Sequence, residues 1–337
     1  MDLVSGFLLV LAAGVLQGTF VLPMTLTRHW EWEHTWATFS FFGMLLFNGV
    51  LALVSLGDLP AIYSAVPVRD LMVLGIFGAG WGIGAVLFGV GMDRLGMALG
   101  YPIIMGLIAS MGALIPLLVF YPGQVWALQG LVLLSGTALV MVGIVLSARA
   151  GAKKTTENAP EASSGRRAFR GAVMIAIAAG LLSSLPNVGI TFGTRMVDEA
   201  IAAGVSSVFA GNAVWGLFFA LGFLVNFAWC LFLMIRKGSI GAFAGPGAGR
   251  NVLLGAAMGA MWIGSFYAYG MSAANLGTWG PILGWPIFIA LSIIVGNLWG
   301  LWRGEWKEAS ARPRVLLNRS LIVMTIAVVV IAISQVL

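Results

Sequence analysis

The stretch Gly78–Gly96 reads GAGWGIGAVLFGVGMDRLG, and it aligns without gaps with Gly259–Gly277, GAMWIGSFYAYGMSAANLG. The identical positions are Gly78/Gly259, Ala79/Ala260, Trp81/Trp262, Gly89/Gly270, Leu95/Leu276 and Gly96/Gly277. A shorter match, AAG-x-L, recurs at Ala12–Leu16 and Ala178–Leu182. One copy of each motif lies in each half of the chain, which indicates an internal repeat.

The composition is that of a membrane protein. Of the 337 residues, 60% are hydrophobic and 9% are charged, and the mean hydropathy is +1.00. Soluble domains are about one quarter charged, so we expect lipid to be the main solvent. The 46 glycines fit helices that pack through small residues. The single cysteine, Cys230, excludes an intrachain disulfide, and we interpret it as a small buried hydrophobe.

Ten apolar runs are long enough to cross a bilayer, which takes about 20 helical residues. They cover about 3–27, 35–57, 71–92, 95–121, 125–148, 171–193, 203–235, 251–273, 280–302 and 315–336. No Lys or Arg precedes the first run, which favours a membrane helix over a cleaved signal peptide. The third and fourth runs nearly touch, so we predict a tight turn at Asp93-Arg94.

The longest polar segment, residues 150–170, divides the ten spans into five and five and is predicted to be a flexible linker. An odd number of spans in each half means that the second half enters the membrane in the opposite orientation. We therefore predict an all-α membrane protein of two inverted five-helix repeats, residues 1–149 and 171–337. This is the plan of secondary transporters.

The distribution of basic residues predicts the orientation. The loops after the odd-numbered spans hold sixteen of the eighteen Lys and Arg residues. By the positive-inside rule, residues 150–170 are then cytoplasmic, and both termini lie on the periplasmic or extracellular side of the cell (inner) membrane. The segment Arg28–Trp36, RHWEWEHTW, lies at the cytoplasmic edge.

Several kinds of chemistry lack their sequence signatures. The chain has no G-x-x-x-x-G-K-[ST] loop and no Cys/His set with metal-ligand spacing. Both histidines lie within six residues at the membrane edge, so no Ser/His/Asp arrangement is available. We predict a protein that is not an enzyme, with no cofactor, no metal and no nucleic-acid partner.

The uncharged interior of the predicted spans favours a neutral substrate, because a charge at mid-span is costly and normally marks an ion pathway. Each polar residue at depth either bonds to another helix or faces a wet cavity. A tryptophan beside glycines offers a flat wall to the C–H face of a sugar ring, and amides and hydroxyls suit its hydroxyl groups. The predicted substrate-binding residues are Gln17, Trp81, Tyr101, Asn187, Asn212, Trp215, Trp262, Tyr267 and Trp285.

The segment Arg28–Trp36 has two interpretations. It is either an interfacial belt of tryptophans with solvated charges or a proton-coupling or gating element in which Glu33 or His34 takes up a proton. Asp93, beside Arg94, is the rival candidate for that role. Prolines in spans 4 and 9 predict helix interruptions, which either kink the helices for packing or mark a transport site.

The same segment resembles a known family. The spacing P-x6-W-x-W-E-x2-W, here Pro23, Trp30, Trp32, Glu33 and Trp36, is similar to that of the L-rhamnose–proton symporter family within the drug/metabolite transporter superfamily. Further matches are GAGWGIG, LGM at Leu95–Met97, Ser183 after Gly180, Asn226, Trp262, Gly304–Trp306 and Arg312-Pro313.

The resemblance implies ten helices in two inverted repeats and proton-driven uptake of a deoxy sugar or related neutral monosaccharide by alternating access. It also implies Tyr and Asp shortly before Trp285, where this chain reads GTWGPILG. The alternatives are a drug or metabolite exporter on the same fold, and a membrane receptor or scaffold with a sealed centre. The oligomeric state stays open.

Overall fold

The computed structural model describes residues 3–120, 122–158, 166–277, 280–304, 306–307 and 309–333. In these ranges the chain forms fourteen α-helices and no β-strand. They are α1 Leu3–Thr19, α2 Trp32–Ser40, α3 Asn48–Leu56, α4 Leu59–Ala65, α5 Val68–Phe120, α6 Leu128–Asn158, α7 Arg166–Ser183, α8 Leu185–Phe192, α9 Thr194–Ala202, α10 Ser207–Ala210, α11 Asn212–Lys237, α12 Ala248–Leu276, α13 Trp285–Trp302 and α14 Ala311–Ile333.

The ten predicted spans are confirmed as helical segments of membrane-crossing length and apolarity. They are Leu3–Leu26, Trp32–Leu56, Val68–Gly91, Ile103–Phe120, Leu128–Gly151, Gly171–Phe192, Ser207–Lys237, Ala248–Leu276, Trp285–Trp302 and Ala311–Ile331. Helix is the expected form, because each backbone N–H and C=O must find its partner inside the segment when water is absent.

The turn predicted at Asp93-Arg94 is wrong. Helix α5 runs without a break through both residues and contains two separate apolar segments, Val68–Gly91 and Ile103–Phe120. Asp and Arg cost little in a helix interior, and no proline precedes Pro102 in α5. Asp93 and Arg94 are therefore polar residues within a continuous helix and not a helix end.

Helix also enters both ends of the predicted linker. Helix α6 continues to Asn158, and α7 begins at Arg166. Residues 159–165 lie outside the described ranges. The sequence 150–158, AGAKKTTEN, contains good helix formers and no proline, so the helix of span 5 extends past its apolar end.

π-Helical turns replace regular helix in two of the spans. Phe41–Phe47 form one such turn between α2 and α3, and Gly280–Gly284 form another directly before α13. The second confirms the interruption predicted in span 9, whereas Pro102 lies inside the unbroken α5. Such turns are frequent at functional sites.

The chain divides into two compact units, each with segments from both predicted halves. Unit 1 contains Met1–Ile83 and Gly189–Gly277, and unit 2 contains Gly84–Val188 and Thr278–Leu337. In unit 1, α1 packs along α12, and α11 packs against α2 and α3. In unit 2, α6 packs along α14, and the Ser320 hydroxyl donates to the Gly143 carbonyl at 2.7 Å.

Two glycines of the internal repeat mark points where helix backbones touch within unit 1. A Cβ atom on Gly78 would collide with the backbone carbonyl of Phe218 on α11. A Cβ atom on Gly259 of α12 would lie 2.6 Å from the Gly43 nitrogen in the first π-helical turn. Both repeat copies therefore use glycine for close helix approach, as small residues do in membrane helices generally.

We predict that Gly259→Ala destabilises the protein by about 1–3 kcal/mol, because the added methyl group meets backbone that cannot rotate away. Gly49→Ala is the matched control, since a Cβ atom there would have no neighbour within 4 Å. Thermal unfolding of the two purified variants in detergent measures the difference. Equal melting temperatures would contradict the packing role of Gly259.

Candidate substrate and proton sites

The two repeat-related tryptophans lie against each other in unit 1. The Trp81 and Trp262 rings stack with centroids 5.6 Å apart and planes 23° apart, and both are buried. Phe219 of α11 packs edge-on against both rings, at 5.3 Å from Trp81 and 4.7 Å from Trp262. The sequence prediction that Trp81 and Trp262 occupy related places is consistent with this stacking.

Trp215 and Phe266 extend the group. Trp215 stacks on Phe219 at 5.4 Å and 13°, and Phe266 lies 5.0 Å from Trp262. We call Trp81, Trp215, Phe219, Trp262 and Phe266 the aromatic cluster. No sequence signal marks Phe219, which lies in an apolar run without any polar neighbour.

The indole N–H of Trp215 is buried and has no hydrogen-bond acceptor within the described residues. It lies directly against Gly270, where a Cβ atom would be 2.6 Å from Nε1. Gly270 is the repeat equivalent of Gly89. An unsatisfied buried donor is uncommon in native proteins, so this N–H stands out among the buried groups of unit 1.

Gln17 brings a polar group from α1 to α12 near the aromatic cluster. Its Oε1 accepts a hydrogen bond of 2.7 Å from the Ser265 hydroxyl, which also lies 2.6 Å from the Trp262 carbonyl. The Gln17 amide nitrogen makes no hydrogen bond within the described part of the chain and keeps two protons to donate. Ser265 was missed from the sequence, although it follows Trp262 by three residues, on the same helix face.

Tyr267 and Asn212 form bonds between helices. The Tyr267 hydroxyl lies 3.0 Å from the Asn48 carbonyl and 3.1 Å from Asn48 Oδ1, so it donates to one of them. Asn48 Nδ2 in turn donates to the carbonyls of Trp215 and Gly216 at 3.3 and 3.1 Å. Asn212 Nδ2 donates to the Ser55 hydroxyl at 3.0 Å.

Asn187 and Trp285 meet in unit 2. Asn187 of α8 donates through Nδ2 to the Gly112 carbonyl at 2.5 Å, and Trp285 of α13 donates through Nε1 to the Ile108 carbonyl at 2.9 Å. The two acceptors lie one turn apart on α5. The structure thus brings two predicted residues together, both as ligands of the α5 backbone. Tyr101 and Asp93 lie in α5, and their side chains are outside what the structure describes.

Two apolar grooves of unit 1 are lined by other residues. One has a volume of about 510 Å³ and is bordered by Tyr63, Met72 and Leu217, among others. The other, of about 250 Å³, lies between Phe47 and Ile263. None of the predicted substrate residues lines either groove.

The segment Arg28–Trp36 is bound to the connection between α11 and α12. His34 Nδ1 accepts a hydrogen bond of 3.2 Å from the Glu31 N–H, so the ring proton is on Nε2, which donates to the Ser239 carbonyl at 2.8 Å. Asn251 Nδ2 donates to the Arg28 carbonyl at 2.7 Å. Trp30 Nε1 donates to the Ala242 carbonyl at 3.1 Å.

The charges of this segment concentrate on one lysine. Lys237, the last residue of α11, has its Nζ 2.5 Å from Glu31 Oε2 and 2.8 Å from Glu33 Oε1. Glu33 and His34 are buried, whereas Glu31 and Lys237 are exposed. Part of the segment is therefore not a solvated surface, although its tryptophans lie at a span end as the belt interpretation expects.

Trp36 adds a further hydrogen bond within unit 1, between α2 and α11. Its Nε1 donates to Asn226 Oδ1 at 3.2 Å, and Asn226 Nδ2 donates to the Gly222 carbonyl at 3.1 Å. Asn226 is one of the residues on which the family resemblance rests. Its amide joins α2 and α11, and its second donor contact reaches the Gly82 carbonyl of α5 at 3.4 Å.

Ten apolar helical segments, a buried aromatic cluster flanked by amides, and a charged group at one span end define a multi-pass α-helical membrane protein of transporter type. The family model for the L-rhamnose-proton symport protein (RhaT) matches residues 2–336. The chain belongs to this family, which confirms the resemblance seen in its sequence.

Three relatives, all named L-rhamnose-proton symporter, show how far the similarity extends. The relative from Cronobacter sakazakii is 27% identical over 329 residues, which cover 96% of this chain and 95% of the relative. The relative from Klebsiella pneumoniae (strain 342) is 26% identical over 317 residues, 91% of each chain. The relative from Mannheimia succiniciproducens is 26% identical over 319 residues, 92% of each chain.

We predict that His34→Ala destabilises the protein by about 1–3 kcal/mol, because it removes the cap bond to Glu31 and leaves the Ser239 carbonyl without its donor. His34→Gln is the matched variant, since glutamine at this helix position also accepts from the cap N–H. Thermal unfolding in detergent is expected to show a smaller loss for His34→Gln. Equal losses would contradict the capping role of Nδ1.

Proposed function

We propose that this chain is a secondary active transporter that couples proton entry to the uptake of a neutral monosaccharide by alternating access. The observation that carries the proposal is membership, over residues 2–336, in the L-rhamnose-proton symport protein family. L-Rhamnose is the first substrate to test, followed by related neutral sugars. Catalysis is not part of the proposed function, since the residues that stand out bind, stack and carry charge.

The aromatic cluster supports a sugar as the substrate. Its five side chains are uncharged, and tryptophan faces suit the apolar C–H face of a sugar ring. The Trp215 N–H and the Gln17 amide N–H groups are donors without partners in the described residues, and they suit sugar hydroxyls. We assign Gln17, Trp81, Trp215 and Trp262 to substrate binding. Tyr101, Asn187, Asn212, Tyr267 and Trp285 stay predicted substrate residues on the strength of the sequence.

The stacked tryptophans imply a movement on binding. A ring inserted between two faces needs about 3.5–4.0 Å on each side, whereas the Trp81 and Trp262 centroids are 5.6 Å apart. A sugar that uses both faces therefore has to separate the two rings. In the proposed cycle this separation distinguishes the loaded state from the empty one.

The proposed orientation places both termini outside the cell membrane and the region 150–170 in the cytoplasm. It is supported by the fifteen Lys and Arg residues that follow spans 1, 5, 7 and 9, whereas Arg94 lies within α5 and no longer counts as a loop residue. The cluster around Glu33 and His34 then lies on the cytoplasmic side. We assign proton coupling or gating to this cluster, with Asp93 as the alternative. Two inverted repeats, residues 1–149 and 171–337, remain the proposed basis of alternating access.

We predict that proteoliposomes containing the protein accumulate labelled L-rhamnose or another neutral monosaccharide when the lumen is made alkaline relative to the outside. Collapse of the pH gradient with a protonophore should abolish accumulation. Flat uptake across a panel of neutral monosaccharides would contradict the proposal. Sugar binding without flux would indicate a receptor, and a drug-sensitivity shift in expressing cells without sugar uptake would indicate the exporter.

Substitutions of the aromatic cluster test its assignment. We expect Trp262→Phe and Gln17→Leu to raise the KM for the sugar by about tenfold or more, the equivalent of about 1.4 kcal/mol of lost binding. Phenylalanine keeps the packing of the buried site, so the protein is expected to fold. Trp126→Ala is the control, because this side chain is 81% exposed and remote from the cluster in sequence. An unchanged KM in both cluster variants would remove these residues from the binding site.

A further inference from the structure

Three charged side chains at the start of α2 and the end of α11 form a group that we call the charge trio: Glu31, Glu33 and Lys237. The lysine contacts both carboxylates, with Nζ–O distances of 2.5 Å to Glu31 and 2.8 Å to Glu33. The side chain of Glu31 is 56% exposed and that of Lys237 is 45% exposed, but that of Glu33 is only 3% exposed. The lysine therefore joins one carboxylate in water to another that is buried.

The two carboxylates differ in how much they need the lysine. A charge removed from water is costly unless it is paired, so ionised Glu33 depends on Lys237. Glu31 is hydrated, and an exposed ion pair contributes little to stability. A lysine ammonium on its four-carbon stem rotates easily between acceptors, and both oxygens are already within its reach.

The trio is not required to fasten the segment Arg28–Trp36. His34 bonds to the Ser239 carbonyl, Asn251 to the Arg28 carbonyl and Trp30 to the Ala242 carbonyl. These three neutral bonds connect the same parts of the chain without placing any charge in a buried site. Attachment of this segment therefore does not by itself explain why the carboxylate of Glu33 is buried.

We propose that Lys237 is a positioning residue that determines when Glu33 binds the coupling proton, by moving between Glu33 and Glu31. This inference rests on the proposed function. In the step that loads the proton, a hydronium ion gives H⁺ to a Glu33 carboxylate oxygen, an O–H bond forms, and water leaves. Lys237 keeps all three of its protons and pairs with Glu31. The net charge of the trio rises by one, and the reverse step releases the proton.

The other ionisable groups near Glu33 are not placed to control its proton binding as Lys237 is. His34 uses both ring nitrogens in hydrogen bonds, one to the Glu31 N–H and one to the Ser239 carbonyl. Cys230, which faces Glu33 from α11, is buried in an apolar cluster with Ala37 and Met234. The other cations in the sequence segments around the trio are Arg28, Arg236 and Arg250, all exposed and without an ion pair among the described residues.

The transport experiment compares wild type, Lys237→Met, Lys237→Arg, Glu33→Gln and Arg236→Gln in proteoliposomes. For one proton per sugar, one unit of pH gradient supports at most about tenfold accumulation, since one unit corresponds to 1.36 kcal/mol. We expect Lys237→Met and Glu33→Gln to lose accumulation, with the inside-to-outside sugar ratio falling to about one. Labelled-sugar exchange at equal pH, which needs no net proton movement, should continue. Lys237→Arg should restore accumulation, and Arg236→Gln is the control that should not change it.

Two further variants separate control of the proton from structure. Glu31→Gln removes the second position of the lysine, so half-maximal uptake should shift to lower pH while exchange persists. The double variant Glu33→Gln/Lys237→Met should behave like either single variant, because both changes act on one step. Gradient-driven accumulation by Lys237→Met with the wild-type pH profile would overturn the inference.

A measurement without sugar keeps this inference separate from the proposed function. Infrared spectra of the purified protein, recorded against Glu33→Gln, isolate the carboxylic-acid C=O band of Glu33 as pH is varied. We expect Lys237→Met to show this band at pH values where wild type lacks it. An identical band in both proteins would overturn the role of Lys237. Absence of sugar transport by wild type would refute the proposed function alone.

Discussion

Close backbone contact between helices is the constraint on which the interior of unit 1 depends. Apolar burial cannot hold helices together in lipid as it does in water, so van der Waals packing and interhelical bonds take over. Gly78 and Gly259 each place a helix against neighbouring backbone, and each lies three residues before a tryptophan, on the same helix face. The spacing that the glycines set is thus the spacing at which Trp81 and Trp262 stack.

Because little water reaches the interior of a membrane protein, most interior polar groups already have hydrogen-bond partners within the protein. Gln17 bonds to Ser265, Asn48 to Tyr267 and Asn212 to Ser55, each across two helices. The few remaining donors are therefore the ones to which the proposed substrate-binding role is assigned. The Trp215 N–H adjoins Gly270, one of the glycines that the two copies of the repeat share.

The buried charge of Glu33 lies at the end of a span, where a lysine from the exposed surface can offset the cost of burying it. Glu33 is buried in the first turn of α2, and Lys237 reaches it from the exposed end of α11. A carboxylate deeper in the span would be out of reach of the Lys237 ammonium. A carboxylate closer to the water would be hydrated and would not need a counter-ion. The hydrogen bonds of His34, Trp30 and Asn251 hold the surrounding backbone independently of these charges.

The sequence by itself determined the ten apolar helices, the repeat around Trp81 and Trp262, and the family, because hydropathy and glycine spacing are local properties of the chain. It did not predict the continuous helix through Asp93 and Arg94, since polar residues at a span end fit a helix and a turn equally well. Only the tertiary structure decided which polar groups have partners. It also decided that Phe219 packs in the aromatic cluster, that Ser265 bonds to Gln17 and that Lys237 contacts Glu33. Lys237 and the glutamates that it contacts are about 200 residues apart in the chain. Such contacts arise only when helices pack, so no local sequence pattern predicts them.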